Sequence, residues 1–184
     1  VKWEILSDLY VWIGIVAGTA IGIVLARVVK MITMPQMVAL LNGLGGAASA
    51  IAAWLTMRSA DSLPAFEMLT AMLALIVGGL TFSGSLVAAG KLHRLLPQKP
   101  MRLPNHMMLT GGSAVLLVAL TLLSVMVPNG VWLPLIAGIL SLIFGLLFAF
   151  PVGGADMPIT ISLLNSTSGV AAAIAGMAIG EVLL

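Results

Sequence analysis

Six apolar runs constrain this chain more than any other feature, because each can cross about 30 Å of hydrocarbon, which takes about 20 helical residues at 1.5 Å rise. They lie near 9 to 29, 36 to 57, 65 to 89, 106 to 127, 131 to 150 and 158 to 183. Backbone groups in lipid must be satisfied internally, and no alternating barrel pattern appears, so the runs are predicted to be helices. Pro35, Pro64, Pro104, Pro134 and Pro158 fall at or near run starts, where a missing N–H costs little. Only 8% of the residues are charged against 61% hydrophobic, about a third of the charged share usual in soluble domains. The expected fold is an all-α membrane protein, a polytopic bundle of six transmembrane helices forming a single transmembrane domain over residues 1–184.

Charge sets the expected direction of the spans. Arg27 and Lys30 follow the first run, and Lys91, Arg94, Lys99 and Arg102 follow the third, so six of the eight basic residues share one side. By the positive-inside rule that side is cytoplasmic. Both ends of the chain then face outward, with Lys2, Glu4 and Asp8 at one and Glu181 at the other. The missing initiator Met and a last span stopping at Leu184 suggest a fragment, and no signal peptide is read at the start. Basic residues interleaved with apolar runs do not make a nucleic-acid surface. The absence of Cys removes disulfide and thiolate chemistry.

One motif occurs twice. MPQMVALLNGLGGAASAIA from Met34 and MPITISLLNSTSGVAAAIA from Met157 share ten of nineteen positions. In both, the asparagine stands seven residues after the proline, about 10 Å inside the boundary at 1.5 Å per residue. The first two and last two spans therefore read as a parallel internal repeat (spans 1-2 and 5-6), an arrangement that places sites at the repeat interface. An unpaired amide in hydrocarbon costs several kcal/mol, so Asn42 and Asn165 are expected to face protein or water, in one cavity or in separate contacts. Ser162, Asn165, Ser166 and Gly169 share a helical face that suits a file of water. Interhelical glue is the bland alternative. Asparagine does not titrate, so it orients or relays water without holding the proton. Gly14, Gly18 and Gly22 on span 1, and Gly169, Ala173, Gly176 and Gly180 on span 6, read as close-packing ridges.

Charged groups near the spans are few. Glu67 lies three residues after Pro64, where a helix dipole favours an anion, and is either an interfacial carboxylate or an outer ion mouth. Asp156, in PVGGADMP, has an N-capping role open to it. His93 and His106 sit in or beside the basic loop and make a poor metal pair. No dinucleotide fingerprint, P-loop or Ser, His and Asp set is present.

The stretches MPQMVALLNGLGG, GGLTFSGSLVAAGKL, KPMRLPNH and GGADMPITISLLNSTSGVAAA, in this order over nearly the whole chain, resemble the membrane domain of the proton-translocating NAD(P) transhydrogenase beta subunit. The resemblance implies a complete enzyme that couples inward proton movement to hydride transfer from NADH to NADP+ on soluble domains. This chain would bind no cofactor; NADP(H) and NAD(H) belong to those domains. It also implies a first and a last span beyond this chain, alpha-side transmembrane helices as partners, a homodimer of complete units, and a cell inner (plasma) membrane location.

Residue by residue, Asn165 resembles the asparagine lining the proton path, with Ser162, Ser166 and Glu67 placed along that path by position. Asp156 resembles the aspartate facing the NADP(H)-binding domain, and Arg27, Lys30, Lys91 and Arg94 would face the soluble domains with it. Asn42 stands where some members carry a histidine proposed to transfer protons, so a titrating group must be supplied elsewhere. A proton or ion secondary transporter or channel with parallel repeats, and a purely structural subunit, are the competing readings.

Overall fold

The computed structural model describes residues 9–59, 63–127 and 130–178. Every regular element among them is helical: α1 (Leu9–Val28), α2 (Met34–Ser59), α3 (Ala65–Leu92), α4 (His106–Met126), α5 (Trp132–Ala149) and α6 (Met157–Ala178). Single 3₁₀ turns at Met31–Thr33 and Gly154–Asp156 precede α2 and α6. All six helices are long and apolar enough to cross a membrane. The predicted charged ends Lys2, Glu4, Asp8 and Glu181, and Gly180 of the expected ridge, lie outside the described residues.

The chain divides into two units, Val1–Met34 and Pro35–Leu184. In the first, α1 runs for 20 residues without a buried one and carries Arg27 in its last turn. Gly14, Gly18 and Gly22 are exposed along it.

In the second unit α3 is the central helix, and GGLTFSGS is what lets its neighbours approach. Toward α2, Gly78 meets Gly46 backbone to backbone: a Cβ on Gly46 would stand 2.8 Å from the Gly78 carbonyl oxygen. Toward α5, small residues interlock reciprocally. Ser141 occupies the space beside Gly79, and Ser83 occupies the space beside Gly145. Toward α6, the Leu164 side chain lies over Gly84, where a Cβ would meet it at 3.3 Å. Without a hydrophobic effect between lipid-bathed helices, this close packing of small residues is the main source of association. Met68, Met72 and Leu75 of α3 fill the rest of the core with Leu117 and Leu120 of α4. The outer faces of α4 and α5 carry exposed Val115, Val118, Leu122, Ile136, Ile139 and Ile143, as lipid-facing surfaces do.

The predicted runs overlie the six helices, the last only as far as Ala178, where the described residues end, with one consequential difference. α3 continues to Leu92, beyond the expected end at 89. The helix runs through Gly90 and is closed only at Arg94, which adopts a left-handed φ of 59°. The Leu95 amide then bonds Gly90 O (2.9 Å) and the Arg94 amide bonds Lys91 O (3.0 Å), a paired closure that satisfies the last carbonyls. Lys91 is thereby carried into the final helical turn.

The ridge expected on α6 is also displaced. Its buried face is Leu164, Ala171, Ala175, Gly176 and Ala178, whereas Gly169 is exposed and Ala173 half-buried. Leu164 sets this rotation by seating on Gly84, and residues four and seven further along share its face.

Candidate functional site

Asn42 is the focus of the buried polar atoms. It lies on α2, 7% exposed. Its Nδ2 donates to Ser85 Oγ on α3 (2.9 Å), and its Oδ1 accepts from Ser168 Oγ on α6 (2.6 Å). One amide therefore ties three helices together. Gly43 beside it permits this approach: a Cβ there would come within 3.2 Å of Ser85 Cβ. One turn away, the Thr81 and Thr167 hydroxyls meet at 3.0 Å, adding a second α3 to α6 link.

Asn165 is placed differently. It is exposed, together with Ser162, Ser166 and Gly169, so the predicted stripe exists and faces away from the core of its unit. Ser166 Oγ is spent on its own helix, donating to Ser162 O (3.1 Å). The Asn165 side chain has no hydrogen bond among the described residues, while its backbone oxygen accepts from Ser168 Oγ at 2.8 Å. The two asparagines thus do not present their amides to one another. Ser168 is the bridge between them, its single hydroxyl hydrogen shared between the side chain of one and the main chain of the other. Their helices nevertheless begin alike, each with Met-Pro following a 3₁₀ turn.

Sequence reasoning assigned no role to Ser85, Ser168, Thr81 or Thr167. Ser85 and Thr81 sit in GGLTFSGS, whose alternation of Gly with hydroxyl residues was the available signal. Ser168 corresponds to Gly45 in the other copy of the repeat, so superposing the copies drew attention away from it.

At the end of the bundle where α3 stops and α6 starts, the charged residues take different roles. Asp156 closes the 3₁₀ turn, exposed, and the capping role open to it is not taken: its carboxylate makes no hydrogen bond among the described residues. Its main chain serves instead, the amide bonding Gly153 O (3.0 Å) and the carbonyl accepting from Thr160 (3.4 Å). Lys91, expected on a basic surface, is fully buried. Its Nζ donates to Phe150 O (2.6 Å), Val152 O (2.5 Å) and, at the limit, Ala149 O (3.5 Å). Ala149 O and Phe150 O stand at the end of α5, where the helix dipole favours a cation, and Val152 O follows just beyond it. Arg94, Lys99 and Arg102 remain exposed, as do Arg27 and Lys30 in the first unit.

His93 leans on Gln36, with Nδ1 at 3.1 Å from Oε1, and Gln36 Nε2 donates to Leu92 O (3.0 Å). His106 is the first residue of α4 and packs on Thr110, so it belongs to the helix. Glu67 is half-buried in the first turn of α3.

Comparison with known proteins adds a family. The family model for the NAD(P) transhydrogenase beta subunit matches residues 2–184. Two curated sequences from Rhodospirillum rubrum, one of them from a named strain, are each called NAD(P) transhydrogenase subunit beta. Each is 38% identical over 186 residues, covering 95% of this chain and 40% of the relative. The chain therefore spans about two fifths of the length of these curated relatives.

Proposed function

Since the chain belongs to the NAD(P) transhydrogenase beta subunit family, we propose that it is the proton-conducting membrane portion of an enzyme that couples inward proton movement to hydride transfer from NADH to NADP+. The nucleotides act on soluble domains supplied by the rest of the assembly. One observation carries this reading: α6, a helix able to span a membrane, presents Ser162, Asn165 and Ser166 outward, and the Asn165 amide makes no hydrogen bond among the described residues. Such a group in hydrocarbon costs several kcal/mol, so water or a further helix must meet it.

In this reading the stripe forms one wall of a water file, closed by transmembrane helices of the alpha-side partner. Protons enter from the outer face, where Glu67 lies in the first turn of α3. They pass Asn165, whose amide orients water without titrating, and leave near the exposed carboxylate of Asp156. Asn42 holds the wall in place through Ser168. With no histidine at Asn42, the titrating group comes from the partner helices.

Coupling requires two conformations that differ in proton affinity. A proton crossing 100 mV contributes about 2.3 kcal/mol, enough to bias release of NADP(H). Asp156 and Arg94 make up the proposed coupling set on the side of the soluble domains, with Lys91 buried behind the segment that carries Asp156.

The test is proton uptake by proteoliposomes carrying the complete enzyme. Flux should require both nucleotides and should fall in Ser162→Ala/Ser166→Ala. Flux of wild-type size without nucleotide would mark an independent channel instead.

A further inference from the structure

The fully buried amine of Lys91 has no carboxylate partner among the described residues, and its three hydrogens face three main-chain carbonyls within 3.5 Å. A primary ammonium matches that set of acceptors; an apolar side chain of equal length would leave Val152 O without a hydrogen bond among the described residues, while Phe150 O would keep the Met101 amide and Ala149 O the Val152 amide (3.3 Å). The carbonyls belong to Ala149, Phe150 and Val152, the residues that lead from α5 into the segment carrying Asp156. The same segment is pinned from its other side. The Met101 amide bonds Phe150 O (2.9 Å), the Gly154 amide bonds Gln98 O (2.8 Å), and Gln98 Nε2 reaches back to Lys91 O (3.4 Å). Gln98 also packs on Gly154, where a Cβ would meet its side chain at 3.1 Å.

We propose that Lys91 is a positioning residue, an internal latch from the end of α3 that fixes the connection between α5 and α6 and so sets where Asp156 is presented and where α6 begins. Lys91 then acts within the membrane domain, through main-chain carbonyls, and does not touch a soluble partner. The importance of Asp156 rests on the transhydrogenase reading. The latch itself is measured without turnover, so failure of one is distinguishable from failure of the other.

Hydrogen exchange over residues 150–157 of the complete enzyme tests it. In the unmutated enzyme the Gly154 and Asp156 amides should exchange at least about a hundredfold below the unstructured rate; exchange at the rate of a free loop overturns the latch whatever the variants do. Lys91→Met should accelerate exchange there by about tenfold or more, the scale set by losing a charge-assisted hydrogen bond. Peptides covering Leu164–Ala175 should keep their wild-type rates. In a cysteine-free background, Lys91→Cys alkylated with 2-bromoethylamine rebuilds the amine on a side chain of lysine length and should restore slow exchange. Unchanged exchange in Lys91→Met, or alkylation complete by mass without recovery, would overturn the proposal.

Discussion

Ser168 on α6 donates to Asn42 on α2 across 2.6 Å, while Asn42 donates in turn to Ser85 on α3. Three helices, two of them consecutive and the third near the other end of the chain, are joined through one buried amide that uses both of its ends. In lipid such links average about 0.6 kcal/mol and reach about 1.7, so this junction specifies register more than it supplies stability.

A double-mutant cycle on Asn42→Leu and Ser168→Ala, read by thermal unfolding of the complete enzyme in detergent, measures the link. Asn42→Leu alone should cost about 1–3 kcal/mol, because the buried Ser85 hydroxyl and the half-buried Ser168 hydroxyl each lose a partner. The cycle should return a coupling energy of about 0.6 kcal/mol or more. Strictly additive losses would show that the two groups do not interact.

Adjacent glycines on α2 should behave oppositely. A Cβ on Gly46 would stand 2.8 Å from Gly78 O and 2.9 Å from Thr81 Cβ, whereas Gly45 has nothing within 4 Å. Gly46→Ala should therefore destabilise by about 1–3 kcal/mol through overpacking. Gly45→Ala should change stability by no more than about 0.5 kcal/mol, the range of ordinary surface substitutions. Denaturation midpoints of the two variants decide it, and equal midpoints would contradict the packing described.

The α3 and α5 interlock predicts a rescue. The closest obstruction to a Cβ on Gly79 is the Ser141 side chain; the next neighbour, Gly138 O, stands at 3.8 Å. Gly79→Ala should lower the unfolding midpoint, and adding Ser141→Gly should recover most of the loss. The same pairing at Gly145 should recover less when Ser83→Gly is added, because Leu80 Cα also crowds that position at 3.0 Å.

Arg94 holds a left-handed φ of 59° at the close of α3, a conformation that costs a non-glycine residue roughly 1–2 kcal/mol. Arg94→Gly should leave the midpoint unchanged or raise it. A clear fall would mean that the side chain contributes more than the backbone strain takes away.

The helices were legible in the sequence because length, apolarity and proline position each depend on neighbours a few residues away. The polar face of α6 was legible for the same reason, as helical periodicity places Ser162, Asn165 and Ser166 together whatever lies opposite. What periodicity does not encode is the partner across the gap. Asn42 and Asn165 share a motif and a distance from their prolines, yet one is buried against Ser85 and Ser168 and the other is exposed. Lys91 misled in another way: in sequence it opens a basic loop, but three more residues of helix turn its amine onto the end of α5. Gly169 was assigned to a contact ridge by spacing alone, and the fit of Leu164 over Gly84 rotated the ridge away from it.

The central claim, that the outward polar stripe of α6 conducts protons, is tested most directly by Asn165→Leu in the complete, membrane-reconstituted enzyme. Two rates are compared: proton-coupled transhydrogenation, and the cyclic hydride exchange at the nucleotide sites that needs no proton crossing. The account predicts that coupled turnover falls by about tenfold or more, the cost of losing roughly 1.4 kcal/mol along the path, while cyclic exchange is largely retained. Loss of both rates in equal proportion, or of neither, would contradict it.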